Sequence, residues 1–190
     1  DELADECFMP MTVGGGIKTV KDISNLLSVG ADKVSINSAC YQNLKLVTEA
    51  SREFGAQCIV VSIDVKKTAP NNWEVYSHCG NKSEDICPVE WAKNIEQQGA
   101  GEILLTSIDK DGTMEGYVVE ITRKITDAVS IPVISAGGAG NYQHMADIID
   151  NANVSAVAAS SIYHFTEQTP LEAKSFLASK GFNTRLPYEQ

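Results

Sequence analysis

Apolar runs of strand length alternate along the chain with stretches whose apolar residues recur every three to four positions. The runs fall at residues 10–13, 33–37, 58–64, 102–107, 132–135 and 156–160, and the helical stretches at 20–28, 43–54, 89–98, 118–127, 142–150 and 171–179. A run such as Cys58-Ile59-Val60-Val61-Ser62-Ile63 is too short for a helix and too continuous for a strand with one wet face. Six such strands separated by helices predict a parallel sheet buried on both faces. Punctuation agrees with these spans: Thr19 and Asn141 fit N-caps, Pro88 a first helical position, and Gly99 and Gly181 the residue that stops a helix.

Residues 1–8 read as the last turns of a helix feeding the first strand, so the pattern is expected to begin partway through a series of βα units. Residues 66–80 are too many for a simple connection, and the alternation in Trp73-Glu74-Val75-Tyr76-Ser77 predicts a hairpin beyond the third strand. Residues 186–190 form a short tail, which leaves one domain over residues 1–185.

A repeat overlies this alternation. Thr12-Val13-Gly14-Gly15-Gly16-Ile17 precedes Ser35-Ile36-Asn37-Ser38, and Ser135-Ala136-Gly137-Gly138-Ala139-Gly140 precedes Ala158-Ala159-Ser160-Ser161. The interval is 23 residues both from Gly15 to Ser38 and from Gly138 to Ser161, as duplicated βαβ units require. Glycine turns bring backbone N–H groups close to an oxyanion, so each half reads as a phosphate cradle. Two cradles predict a ligand with two phosphates.

Composition narrows the partners. Fifteen basic against 25 acidic residues give a formal charge of −10, which argues against nucleic acid or an anionic membrane. No apolar run reaches the roughly 18 residues of a membrane helix, and the acidic first residues lack a signal-peptide start, which points to the cytoplasm. The five cysteines are odd in number and without C-x-x-C spacing, so neither a disulfide framework nor a zinc site is indicated. Three of them lie in apolar stretches and are expected in the core.

Asp64 ends the most apolar strand, at the carboxyl edge where parallel sheets build their sites, and suits general acid or base work. A solvent-facing or capping aspartate is the plain alternative. The segment from Thr106 through Asp109 and Asp111 to Thr113 reads as a substrate loop, since most EF-hand ligand positions are absent. His78, His144 and His164 share no metal-type spacing and read as structural or surface residues. Lys33 and Glu102 each begin a strand at the opposite edge, where an ordinary ion pair is the plain reading.

Together these segments, with Gly30-Ala31-Asp32-Lys33-Val34-Ser35 and Gly99-Ala100-Gly101-Glu102-Ile103-Leu104-Leu105, resemble the cyclase (HisF) subunit of imidazole glycerol phosphate synthase over about residues 5–185. The resemblance implies a (β/α)8 TIM barrel of two half-barrels, of which about six of eight βα units are present. It also implies a role in histidine biosynthesis: ammonia from a glutaminase partner and a bis-phosphorylated ribulosyl-formimino aminoimidazole carboxamide ribotide yield imidazole glycerol phosphate and the aminoimidazole carboxamide ribotide.

By this resemblance Asp64 matches one of two catalytic aspartates, Gly15, Asn37 and Ser38 one phosphate site, and Asp111, Gly112, Gly138, Ser160 and Ser161 the other. Thr106 matches a substrate contact, and Lys33 and Glu102 members of a charged ammonia gate. No cofactor and no metal is implied. The first two βα units of the family, with the second aspartate, have no counterpart in the sequence, and two open sheet edges are expected to self-associate. Ser135-Ala136 reverses the family's usual order, and Glu6-Cys7-Phe8-Met9-Pro10 resembles a paralogous branch acting on amidine sugars of surface polysaccharide. A non-catalytic phosphate- or partner-binding module is the third expectation.

Overall fold

Each predicted strand finds a parallel neighbour. The computed structural model describes residues 9–185, so the helix end read at residues 1–8, the residues 6–8 of the paralogue-like motif and the tail at 186–190 lie outside the described residues. In chain order the elements are β1 (Thr12–Gly14), α1 (Val20–Ser28), β2 (Lys33–Ile36), α2 (Ser38–Gln42), α3 (Lys45–Phe54), β3 (Ile59–Ala69), β4 (Asn72–Ser77) and β5 (Lys82–Ser83). There follow α4 (Pro88–Gln97), β6 (Glu102–Ser107), α5 (Val119–Thr126), β7 (Val133–Ala136), α6 (Tyr142–Ala152), β8 (Ala156–Ala158), α7 (Ser161–Phe165) and α8 (Pro170–Ser179). The sheet runs β1-β2-β3-β6-β7-β8 and is parallel along this path. This curled sheet with alternating helices is an incomplete (β/α) barrel.

The register explains the convex core. Ile36 stands opposite Val61, Val61 opposite Ile103, and Ile103 opposite Val133, so these side chains form one continuous row, all of them buried. Ile23, Val47, Ile95 and Ile125 from α1, α3, α4 and α5 cover that face, each fully buried. Burial of each such side chain contributes about 1.5–3 kcal/mol. A second core joins Met145 and Ile148 of α6 to Ile162 of α7 and Leu177 of α8.

Helix boundaries follow the capping signals. Thr19 and Asp22 form a reciprocal capping box on α1, Thr169 and Glu172 another on α8, Asn141 caps α6 through the His144 N–H, and Pro88 opens α4. Gly99 and Gly181, each just past a helix, have positive φ.

Three expectations change. The concave face is only half-buried, at Ser35, Ser62, Leu104, Thr106 and Ile134, because among the described residues the six strands do not close and no layer packs there. The helix read at 43–54 begins at Lys45 as α3, and a further helix that the sequence reading did not give, α2, precedes it, with the extended Asn43 (φ −146°, ψ 86°) between them. β3 does not stop at Asp64: it continues to Ala69 and pairs antiparallel with β4, and β4 with β5, which realises the predicted hairpin and lengthens it. Of the described cysteines, Cys40 is buried and Cys58 half-buried, while Cys79 and Cys87 are exposed because they lie in the hairpin end and the loop before α4.

Candidate active site

Both halves of the sequence repeat fold alike at the carboxyl edge of the sheet. After β1, Gly15 and Gly16 have φ +101° and +72°; after β7, Gly137 and Gly138 have φ +87° and +108°. Asn37 and Ser160 each precede a five-residue helix, α2 and α7, without a side-chain cap. In the register of the repeat Gly15 and Gly138 share a positive φ, while the other left-handed glycine follows Gly15 in the first turn and precedes Gly138 in the second, so the halves share spacing and placement and differ by one position in the turn.

The first half opens on a cavity of about 720 Å³, lined among others by Gly15, Gly16, Asn37, Ser38 and Asp64. A Cβ built on Gly15 or Gly16 meets nothing within 4 Å, so the glycine turn borders open space. Asn37 Nδ2 donates to Asp64 Oδ2 at 2.9 Å, and Ser62 Oγ makes a longer contact of 3.4 Å to Oδ1. Burial holds the Asp64 carboxyl above the usual carboxylate range; the bonds from Asn37 and Ser62 pull it back down and the charge of Asp111 adds to the rise. Such a group can keep a proton that an exposed aspartate would lose, and release it within the cavity. Asn37 Oδ1 is buried and has no donor among the described residues.

The second half opens on a smaller cavity of about 160 Å³, lined by Asp111, Gly112, Ala136, Gly137, Gly138, Ser160 and Ser161 among others. The loop after β6 is strapped to this turn: Gly116 N–H donates to Gly138 carbonyl at 2.7 Å, and Asp111 N–H to Ser107 carbonyl at 2.9 Å. A Cβ on Gly138 would lie 2.2 Å from the Gly116 carbonyl oxygen, so only glycine permits this approach.

Thr106 connects the two. It stands opposite Asp64 on one side and Ala136 on the other, in the strand between the cavities. Four strand intervals separate the cradles, about 19 Å along the curled sheet.

A family model described as histidine biosynthesis protein matches residues 1–169, most of the chain. The chain belongs to the histidine biosynthesis protein family.

In this family member the predicted site residues fall into three groups. Gly15, Asn37, Ser38 and Asp64 share the first cavity, Asp111, Gly112, Gly138, Ser160 and Ser161 the second, and Thr106 stands between. Lys33 and Glu102 lie at the other edge, where the Lys33 Nζ and the Glu102 Oε1 form an ion pair across the start of β3. The reversed Ser135-Ala136 has a physical consequence: strand alternation turns Ser135 to the convex core, where it is 2% exposed, and Ala136 to the cavity.

Lys18, His78 and Cys79 also line the first cavity; the sequence reading passed over Lys18 and Cys79 and took His78 as structural or surface. The hairpin brings the latter two there: His78 N–H donates to Ser38 Oγ at 3.0 Å, and at the hairpin's other end Lys67 N–H donates to Asp109 Oδ2 at 2.8 Å. The only local signal was the hairpin itself, which says where residues 66–80 go but not which side chains reach the cradle.

Proposed function

We propose that this histidine biosynthesis protein acts as the ammonia-dependent cyclase subunit of imidazole glycerol phosphate synthase. One observation supports the reading: two glycine-turn cavities open at the same edge of one sheet, and Asp64, whose pKa burial raises, lines the first of them from a strand that lies between the two turns. A long bis-phosphate fits this arrangement, with one phosphate at Gly15, Asn37 and Ser38, the other at Gly112, Gly138, Ser160 and Ser161, and its reacting centre near Asp64 and Thr106. Asp64 then acts as general acid and base, giving a proton to the group that leaves and taking one back during ring closure. The Lys33–Glu102 pair, at the edge remote from the cavities, serves as part of the gate through which a glutaminase partner delivers ammonia.

The intact protein, supplied with ammonium salt and the bis-phosphorylated ribotide, is expected to turn over. Asp64→Asn lowers kcat by about 10²–10⁴-fold with little change in KM, because the phosphates still anchor the substrate. Turnover of Asp64→Asn at the unaltered rate would remove the acid/base role.

Ser135 favours a second reading. Its hydroxyl is buried away from the second cavity, which leaves that cradle one oxygen poorer and suits a sugar substrate of the polysaccharide branch. Comparison of the ribotide and a nucleotide sugar as ammonia acceptors separates the two.

A further inference from the structure

We propose that His78 is a further binding residue of the first cradle, supplying as an imidazolium the cationic contact to the substrate's phosphoryl group, with Glu84 as a positioning residue that acts on it through Ser77. The inference deepens the cyclase reading and rests on its assignment of the first cavity to a phosphate.

The argument begins with protons. Ser77 is fully buried, and its hydroxyl donates to Glu84 Oε1. A carboxylate cannot return that bond, so the hydroxyl hydrogen is committed. Ser77 Oγ also lies 2.7 Å from His78 Nδ1. With its hydrogen already given to Glu84, Ser77 can only accept there, which fixes a proton on Nδ1 and leaves Nε2 outside that relay.

Glu84 is built to stay charged in this relay. Its side chain is only 10% exposed. Lys82 Nζ donates to both of its oxygens, at 3.1 and 2.9 Å. The Glu84 carboxylate thus stands one hydroxyl away from the ring.

Placement supplies the rest. His78 lines the first cavity with Ser38 and Asp64, and its own N–H is the group bonded to the Ser38 hydroxyl. It holds φ +53° and its neighbour Cys79 φ +57°. Two adjacent non-glycine residues in the left-handed region cost stability and persist where the surroundings fix them. The charged or titratable groups around the ring are Glu84 and Lys82 from the β5 side, Asp64 from β3, Lys18 from the loop after β1, and Cys79 beside it. The cradle residues Gly15, Asn37 and Ser38 carry no positive charge, and the chain as a whole is strongly acidic. A phosphoryl dianion there draws on the cations that line the cavity, Lys18 and a protonated His78, and the histidine makes its share of the contact dependent on pH.

Sulfate is the probe for the test, because its charge is fixed across about pH 5.5–8.5, the range in which histidine titrates. Backbone and histidine-ring NMR follow its titration into the intact protein. Sulfate is expected to shift the Gly15, Gly16 and Ser38 amides and to raise the pKa of the His78 ring, with affinity at this cradle falling about tenfold from the acidic to the basic limit.

In His78→Gln the profile becomes flat. In Glu84→Gln the midpoint is expected to move to lower pH, since a neutral amide replaces the carboxylate one hydroxyl from the ring. Both variants keep the Gly137 and Gly138 amide positions, which shows that the fold survives. If Gly15 and Gly16 respond to sulfate while the ring does not and His78→Gln retains the wild-type profile, the role of His78 is overturned and the phosphate reading stands. If Gly15 and Gly16 do not respond at any pH, the phosphate reading of this cavity falls, and this inference with it.

Discussion

Asp64 owes its chemistry to one neighbour and one absence. Burial favours its neutral form, and the Asn37 amide returns part of the stability of the carboxylate. Gly138 shows a different single-residue constraint, because its missing side chain is what lets the loop after β6 close on the second cradle. Gly138→Ala is expected to lower the free energy of unfolding by about 1–3 kcal/mol, and Gly16→Ala by about 1 kcal/mol, since the latter adds its methyl to open space and incurs only the backbone strain. Urea melts of the two variants check this; equal losses would mean that the contact between Gly116 and Gly138 carries no weight.

At the scale of elements, the β3–β4 hairpin is the part that links the two cradles. One end is bound to Ser38 of the first cradle through His78, and the other to Asp109, in the loop that also carries Asp111 and Gly112 of the second. Aromatic rings brace its lysines, with Lys67 Nζ 5.4 Å from the Trp73 ring centroid and Lys66 Nζ 5.8 Å from that of Tyr76. Asp109→Ala removes the acceptor of the Lys67 N–H, a bond worth about 1 kcal/mol. Hydrogen exchange at Lys67 is therefore expected to accelerate about fivefold, with the amides of β6 unchanged; unaltered exchange would show that the hairpin is held by its own strand pairing. Much of this element was legible, because the alternation at 73–77 marked a strand. Its reach was not, since Lys66 and Lys67 look like the polar end of a strand until a partner covers them.

Among the described residues the sheet is open, with β1 and β8 at its edges, and none of the helices there is long and apolar enough to cross a membrane. Among these residues β1 pairs with β2 alone and β8 with β7 alone; Thr12, Gly14 and Ala156 at these edges are exposed. Unpaired backbone groups beside a half-buried concave face favour association of two copies of the chain, while the net charge of −10 opposes it. We propose that the chain self-associates through these edges. Light scattering is expected to give a mass of two or more chains, rising with salt as repulsion is screened, and a single-chain mass at all salt concentrations would contradict it.

What the sequence by itself determined is what local spacing can encode. Strand and helix order, the capping boxes at Thr19 and Thr169, the glycine turns and the repeat all depend on residues within a few positions of one another, or on one interval used twice. The gathering of Gly15, Asn37, Ser38 and Asp64 at one sheet edge followed from strand order, because every parallel strand brings its carboxyl end to the same side. Only the tertiary structure decided the contacts that no spacing specifies. Asn37 meets Asp64 across 27 residues and Lys33 meets Glu102 across 69, and the left-handed backbone at His78 brings a residue read as structural or surface into the lining of the cradle. These depend on strand register, sheet curvature and the reach of a hairpin, which are set by packing of the whole chain and not by the residues on either side.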